Sequence, residues 1–388
     1  MDIRIAQSML ADALATVRPA SRWHAIMPAL NNVLLSTTDD RLTVSATNNV
    51  LLSTTDDRLT VSATNLEVYI ERTLLMAEVA QPGAICVPLC LLAEFVRGLP
   101  DEIVRLTTNG STLHIECGAF EANIKGLAAE EFPLVSEPAD VGYISLDADT
   151  FANMVDSVAP AAAQDQTRPV LAGVLVTIGE GAIRMDAADG YRLHHRVEPS
   201  HSDIVHSLSA IVPTDALRQI AKNAHESMDS ALDGARLFAR SDDTRIVAQL
   251  IEGEYPDLST VIPAQQNTSV LIARDEFARA ARMAHVFARD VADAMRVSIV
   301  PPNAVIITAQ SVEHGDNVSE LSGKVDGPAV EFRANTAYML DALNAMDTAS
   351  VRLAVNDSTT PITLRPEYGR DIGAREMVAV IMPMYESR

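Results

Sequence analysis

Four short patterns in this 388-residue chain hold residue types that could do chemistry, and each lacks a companion that its chemistry needs. Gly323-Lys324 offers the end of a phosphate-cradling loop without the preceding glycine, and no Gly-x-Gly-x-x-Gly follows a strand pattern. Cys86 and Cys90, four positions apart, could give two thiolates to a metal, but no matching Cys or His pair completes a ligand set. His194-His195 falls in a strand pattern, and Glu130-Glu131, a pair suited to general acid–base work, sits in a polar turn. Nucleotide hydrolysis is unsupported, and a nuclease or polymerase would need a carboxylate cluster that the sequence does not supply. The chain is expected to be non-catalytic, with no metal and no cofactor.

Binding is the alternative to catalysis, and composition sets its terms. A chain of 388 residues with 48% hydrophobic content exceeds what one core usually serves, so two or three domains are expected. Thirty basic residues against 52 acidic ones give a net charge of -22, which argues against a nucleic-acid partner if charge is spread evenly. Cys86, Cys90 and Cys117 make an odd number in a long chain, consistent with a reducing compartment and with packing roles. Met1-Asp2-Ile3-Arg4-Ile5 lacks the basic flank and apolar run of a signal peptide, and no apolar stretch reaches spanning length. A soluble, cytoplasmic protein with no membrane partner is expected.

The elements that would position a binding surface repeat three times. Ile3-Arg4-Ile5, Tyr143-Ile144-Ser145-Leu146 and Val270-Leu271-Ile272 each run into an amphipathic helix. The apolar stripes are Leu10, Ala13, Leu14, Val17; Phe151, Met154, Val155, Val158; and Phe277, Ala280, Ala281, Ala284, all on a 3.6-residue period. A second helix follows in each unit, with stripes Leu92, Phe95, Val96, Leu99; Leu217, Ile220, Ala221, Ala224; and Met339, Ala342, Leu343, Met346. Paired strands come next, at Val104 to Cys117, Ala235 to Leu250 and Val351 to Leu364, with Asn-Gly, Asp-Asp and Asn-Asp turn signals. Each unit closes near a proline after a large side chain, Phe132-Pro133, Tyr255-Pro256 and Met382-Pro383. The fold class is α+β, in three similar domains at 1–138, 139–265 and 266–388, each with two helices on antiparallel sheets.

Inside the first unit, Asn32 to Asn48 is repeated without a change at Asn49 to Asn65. The interval from first to second helix is 82 positions from Leu10 to Leu92, against 66 from Phe151 to Leu217 and 62 from Phe277 to Met339. One 17-residue copy is therefore surplus to the fold. Each copy reads as strand, Asp-Asp turn, strand, so the surplus can project as an extra hairpin at modest cost, because loop closure depends weakly on length. The sequence leaves open which copy takes the native place.

Under so acidic a total, the positions of the positive charges carry information. Arg218, Lys222 and His225 lie beside the stripe of the fourth helix, Arg274, Arg279, Arg282 and Arg289 lie along the fifth, and Arg18, Arg22 and Arg97 flank the first two. Six like helices facing one way would form a common basic lining, able to hold a phosphate backbone without reading bases. Ordinary solvated helix faces would present the same residues.

Several longer motifs carry a family resemblance along essentially the whole chain. They are Thr167-Arg168-Pro169-Val170-Leu171-Ala172-Gly173-Val174, Ala188-Asp189-Gly190-Tyr191-Arg192-Leu193, Gly253-Glu254-Tyr255-Pro256-Asp257 and Val380-Ile381-Met382-Pro383-Met384, with Ser21-Arg22 leading to Met27-Pro28-Ala29-Leu30. The chain resembles the β subunit of bacterial DNA polymerase III, the β sliding clamps. The resemblance implies the DNA-clamp fold and a head-to-tail homodimer, a ring that encircles duplex DNA without regard to sequence. It implies further that the polymerase III α subunit, the clamp loader, repair polymerases and ligase each insert a short linear motif into an apolar pocket.

Carried over by motif position, that pocket is lined by Leu171, Ala188, Gly190, Tyr191, Arg192, Leu193, Pro256, Val261, Val380, Ile381, Met382, Pro383 and Met384. By the same resemblance Arg22 faces DNA, with Arg218, Lys222 and Arg279 added from the helices, and the dimer contact pairs Arg282 and Met283 with a partner strand holding Ala122 and Ile124. Thr260 and Tyr385 depart from the family pattern, where basic residues are common, so pocket preference is expected to differ. If the surplus hairpin blocked ring closure, the chain would instead be a clamp-like peptide-binding protein.

Overall fold

The computed structural model describes residues 1–21, 34–38, 41–45, 49–55, 58–75, 78–135, 142–165, 167–199, 208–290, 292–368 and 375–385. The first repeat runs β1 (Asp2–Ala6), α1 (Gln7–Val17), β2 (Leu34–Thr38), β3 (Arg41–Ser45), β4 (Asn49–Thr55), β5 (Arg58–Thr64), β6 (Val68–Leu75), β7 (Glu78–Gln81), β8 (Gly83–Pro88), α2 (Leu89–Gly98), β9 (Ile103–Asn109), β10 (Thr112–Cys117) and β11 (Phe120–Lys125). The second runs β12 (Ile144–Asp147), α3 (Ala148–Val158), β13 (Gly173–Gly179), β14 (Ala182–Ala188), β15 (Arg192–Pro199), β16 (Leu208–Pro213), α4 (Thr214–Asn223), β17 (Ser227–Leu232), β18 (Arg236–Ser241) and β19 (Thr244–Gln249). The third runs β20 (Thr268–Ala273), α5 (Arg274–Ala288), β21 (Ala294–Val300), β22 (Ala304–Ser311), β23 (Gly315–Asp326), β24 (Val330–Asn335), α6 (Thr336–Asn344), β25 (Ser350–Val355), β26 (Ile362–Pro366) and β27 (Glu376–Ile381).

The helices form over the 3.6-residue stripes, although Leu99, Ala224 and Met346 fall just past the ends of α2, α4 and α6, and Phe95, Ala221 and Ala224 are only half-buried. Leu10, Ala13, Leu14 and Val17 of α1, the four stripe residues of α3 and the four of α5 are all buried. In α6 the Asn335 side chain accepts hydrogen bonds from the backbone N–H of Ala337 (2.9 Å) and Tyr338 (3.1 Å), fixing where the helix starts. Met339, Ala342, Leu343 and Met346 then join Phe277, Val297, Phe332 and Leu353 in the core of the third repeat. Of the three cysteines, Cys86 and Cys117 are packed inside, whereas Cys90 is exposed on α2, because it falls off the Leu92–Val96 stripe.

One pairing pattern recurs in every repeat. The first strand of the main sheet after the first helix takes two neighbours: β4, which follows the β2–β3 hairpin, pairs with β8 and β5, β13 with β16 and β14, and β21 with β24 and β22. The opening strand pairs with the first strand after the second helix, as β1–β9, β12–β17 and β20–β25. The last strand of a repeat then extends the sheet of the repeat before it. β19 pairs with β6, from Thr244↔Arg72 to Ala248↔Val68, and β27 pairs with β15, from Arg192↔Ile381 to Val197↔Glu376. Each such junction satisfies the peptide groups of two edges that would otherwise stay open.

These junctions decide how the chain divides. Its two compact units are Met1–Ala148 with Lys222–Gln249, and Asp149–Ala221 with Leu250–Arg388. The middle repeat is shared, because β12 and β17–β19 continue the sheet of β4–β6, whereas β13–β16 continue the sheet of β25–β27. The boundaries expected at 138/139 and 265/266 do not coincide with the limits of these units.

The second copy of the duplicated segment, not the first, fills the sheet. β4 and β5 lie between β8 and β6 in the eight-stranded sheet, with Val50, Leu52, Leu59 and Val61 fully buried. β2 and β3 form a separate two-stranded hairpin. Its register, Leu34↔Ser45 to Thr38↔Arg41, repeats that of Leu51↔Ser62 to Thr55↔Arg58 seventeen positions later.

A line of buried polar residues runs along β15. Arg192, His194, Arg196 and Glu198 are each less than a tenth exposed. Arg196 donates to Glu198 Oε1 (2.7 Å) and Ser157 Oγ (3.1 Å), and Arg375 Nε donates to Glu198 Oε2 (2.8 Å). His194 Nδ1 lies 2.7 Å from the Ser157 carbonyl oxygen at the end of α3, and its Nε2 is buried without a partner among the described residues. Burial pushes the His194 imidazole down to about 4, the Ser157 carbonyl opposing and Arg192 adding to it. The unfolded chain takes up a proton as pH falls through about 6.5, while the folded one stays neutral down to about 4, so stability is lost across that window. The loss should be about 3 kcal/mol for this group alone. Urea unfolding at steps from pH 7 to 4.5 should show the parent losing stability faster than His194→Gln; parallel curves would refute a buried neutral imidazole.

Candidate partner-binding site

The Ala188-to-Leu193 motif is the turn between β14 and β15, and its residue types fix its shape. Asp189 Oδ1 accepts from the backbone N–H of Tyr191 (2.8 Å) and of Arg192 (3.0 Å), closing a side-chain-capped turn. Gly190 has φ +94, a backbone conformation that side chains resist. Tyr191 is left 67% exposed at the tip, while Leu193 turns inward and is buried.

Two further motifs meet this turn. Gly253 lets its segment approach the Thr167-to-Val174 motif so closely that a Cβ there would stand 2.5 Å from Val170 Cγ1. Tyr255 then reaches back: the Ala188 backbone N–H donates to its hydroxyl (3.2 Å), and burial pushes its pKa up. Asp257 Oδ1 accepts from Ser259 N–H (3.0 Å) and Oγ (2.7 Å), which turns the chain into the short helical turn Ser259–Val261. Those hydroxyl and amide donors hold the Asp257 carboxyl below its usual range. From the other side, the strand direction of β27 continues past its end, because Met382 N–H donates to the Tyr191 carbonyl (2.8 Å).

The three segments enclose one apolar patch. Its floor is Ala188, Leu193, Val378 and Val380, with Leu258 and Ile262 packed against it and half-covered. Val261, 38% exposed, and Tyr191 stand at its rim, Met382 and Met384 are half-buried, and Pro383 is buried. Leu171 is buried in the short turn Pro169–Ala172, and Pro256 is exposed. Such a patch can hold apolar side chains of an extended segment, with flexible methionines adapting to their shape.

Two of the expected lining residues play other parts. Ile381 lies on the opposite face of β27 from Val380, because strand side chains alternate, and it packs in the core of the third repeat. Arg192 is a buried brace rather than an open lining group. Its Nε donates to Asp189 Oδ2 (3.0 Å), its Nη1 to Asp341 Oδ2 (2.6 Å), and its guanidinium stacks 4.2 Å from the centre of the Tyr338 ring. Val378, Leu258, Ile262 and Tyr255 were not among the sequence candidates. Val378 could have been found from its two-residue spacing to Val380, and Leu258 and Ile262 from their four-residue spacing about the helical turn.

The other candidate groups lie on helices and strands. Lys222 on α4 and Arg279 and Arg282 on α5 are exposed, Arg218 on α4 lies 3.6 Å from Asp215, and Arg22 lies outside the described residues. Met283 on α5 is 48% exposed with Val286 beside it at 55%. On β11, Ala122 is half-buried, while Ile124 faces its own core at 5% exposed, so it cannot be an open contact. The exposed apolar side chain of that strand is Phe120, at 51%.

The suspected catalytic patterns are occupied structurally. Gly323-Lys324 lies inside β23, where Lys324 pairs with Leu271 of β20, and no phosphate-cradling turn forms. His195 Nδ1 sits 2.7 Å from Asp186 Oδ1, across the β14–β15 pair. Among the described residues no three His, Cys, Asp or Glu side chains are grouped to hold a metal ion. No described helix is long and apolar enough to cross a membrane.

Comparison with known proteins agrees with this architecture. Relatives include a protein named beta sliding clamp from Streptomyces coelicolor, 28% identical with 99% of each chain covered. Another of that name, from Caulobacter vibrioides, is 28% identical and covers 93% of this chain and 95% of its own. Among solved structures, the DNA polymerase sliding clamp of Bacillus subtilis superposes with a TM-score of 0.87 at 21% identity, over 100% of this chain and 99% of that one. The DNA polymerase III beta subunit of Thermotoga maritima superposes with a TM-score of 0.84 at 23% identity and full coverage of both. Family models for the N-terminal, central and C-terminal domains of the DNA polymerase III beta subunit match residues 47–136, 145–257 and 259–385 in order. With three sheet-rich domains in that order over most of its length, the chain belongs to the DNA polymerase III beta subunit family.

Proposed function

We propose that this chain is a DNA sliding clamp, a non-catalytic ring of two head-to-tail copies that encircles duplex DNA and tethers replication proteins to it. The observation that carries the reading is the open end of the strand-pairing series. β19 joins β6 and β27 joins β15, but their counterparts, β11 and the Gly315–Ser322 stretch of β23, have no such junction among the described residues. The same pairing made between two chains supplies the missing junction twice and closes a ring of six repeats. Apolar side chains flank both edges, Phe120 on β11 and Val318 on β23, with Met283 and Val286 exposed on α5. Exposed acid on one edge, Glu121, and exposed base on α5, Arg282, give the contact opposite charges.

In this reading the three clamp domains are 1–138, 139–265 and 266–388, and the exposed cations Arg218, Lys222 and Arg279, with Arg22, face the DNA. A net charge of -22 repels phosphate elsewhere, so attraction confined to the lining leaves the ring free to slide. The apolar patch beside the β14–β15 turn receives short linear motifs from the polymerase III α subunit, the clamp loader, repair polymerases and ligase. Its work is done in the cytoplasm, with the DNA.

Replacing Arg218, Lys222 and Arg279 together by alanine should weaken binding to linear duplex DNA. It should also flatten the dependence of log affinity on log salt by about 0.9 for each phosphate that is no longer neutralised. An unchanged slope in a variant of unchanged mass would remove these residues from the DNA face.

A further inference from the structure

We infer that Asp341, which lies on α6 outside the proposed pocket, is a positioning residue for that pocket and acts through Arg192. The inference rests on the proposed peptide-binding role of the patch. Asp189 uses both carboxylate oxygens: Oδ1 holds the backbone of Tyr191 and Arg192, and Oδ2 holds the Arg192 side chain. Arg192 therefore decides where the turn sits, and its side chain is only 6% exposed. Asp341, 39% exposed, supplies the second carboxylate at 2.6 Å, and Tyr338, one turn earlier on α6, supplies the ring beneath the guanidinium. Without Asp341 the buried cation keeps only one of its two anions and is drawn toward water. The turn follows it, moving exposed Tyr191 and the carbonyl that anchors Met382 N–H. Neither the turn sequence nor the Met-Pro-Met motif contains Asp341, so this dependence crosses from the third repeat into the second.

The test is the affinity of the full-length protein for a fluorescent synthetic peptide taken from the clamp-binding segment of a polymerase III α subunit. Asp341→Ala and the isosteric Asp341→Asn should each weaken binding at least fivefold, and Asp341→Glu should recover most of the loss, with dimer mass unchanged in all three. Met384→Ala serves as the control for the pocket itself. Binding within twofold of the parent for Asp341→Ala, while Met384→Ala is weakened, overturns the brace. The same follows if Asp341→Glu binds as poorly as Asp341→Ala. Unchanged binding by Met384→Ala as well would instead remove the pocket.

The duplicated hairpin carries a second inference, on an independent observation. We propose that the first copy can replace the second in the sheet, so that the place between β8 and β6 is filled from two interchangeable sources. The residues that fill it, from Asn49 to Asn65, have identical counterparts from Asn32 to Asn48, and β2 and β3 are already paired in the register the place demands. Because the two copies are identical in sequence, either one offers the place the same side chains. Only the flanking links differ. In the observed arrangement the surplus lies before β4 and the tight turn into β6 is kept, with Asn65 Oδ1 accepting from Glu67 N–H (3.0 Å) and Val68 N–H (2.7 Å). In the exchanged one, seventeen residues move into that turn, at a cost that grows slowly with length.

Deleting either copy gives the same chain, so point substitutions must distinguish them. Leu52 is fully buried and Leu35 is its counterpart. Leu52→Asp alone and Leu35→Asp alone should each melt within a few degrees of the parent, because an intact copy remains to fill the sheet. The double variant should lose more than ten degrees. A fall for Leu52→Asp alone that equals the double variant contradicts exchange, and so does a double variant that melts with the parent.

Discussion

A β-strand with an open edge carries a row of peptide groups that must be paired, covered or left to water, and this molecule handles its edges by passing them from repeat to repeat. β19 closes on β6 and β27 closes on β15, so the middle repeat is held at both ends by backbone hydrogen bonds rather than by side-chain fit alone. One wall of the candidate site follows from the second junction. It sets β27 beside β15, brings Val378 and Val380 against Leu193 and Ala188, and lets Met382 pair with the backbone of Tyr191. Among the described residues, β11 and the Gly315–Ser322 stretch of β23 are left with one strand neighbour each.

Charge is organised around the same junction. Arg192, Arg196 and Arg375 pair with Asp189, Asp341, Asp347 and Glu198 where β15 meets the third repeat, while burial keeps His194 neutral on the same strand. Removing one member leaves a buried charge without its partner, which costs more than the intact pair contributes. The cations of α4 and α5 are of another kind: Lys222, Arg279 and Arg282 are exposed, and Arg218 lies 3.6 Å from Asp215 on the surface of α4, where salt screens such charges.

Much of this was legible in the sequence because it is periodic. The helix stripes are buried as their spacing predicts except at Phe95, Ala221 and Ala224, which are half-buried, and the turn signals Asn109-Gly110 and Asp242-Asp243 fall at the β9–β10 and β18–β19 turns. What the sequence could not convey is pairing at a distance. That the middle repeat divides between two compact units depends on β19 meeting β6, a contact between segments far apart in the chain. Ile381 and Ile124 were misassigned because their facing is set by strand register, and a motif match does not carry register. Arg192 looked like a lining group because its partner Asp341 lies 149 positions away. The duplication could not be resolved from identical residues. The structure places the second copy in the sheet, and the match to the family's N-terminal domain begins at residue 47, beside that copy.

If the open edges of β11 and β23 find each other in a second chain, the pairing closes into a ring of two copies. Light scattering on the intact chain at micromolar concentration tests it most directly. A single species of twice the 41.7 kDa chain mass, unchanged on tenfold dilution, is the predicted result. A monomer at the same concentration would contradict the ring and leave a peptide-binding protein that cannot encircle DNA. A mass that climbs with concentration would show the edges pairing head-to-tail without closing.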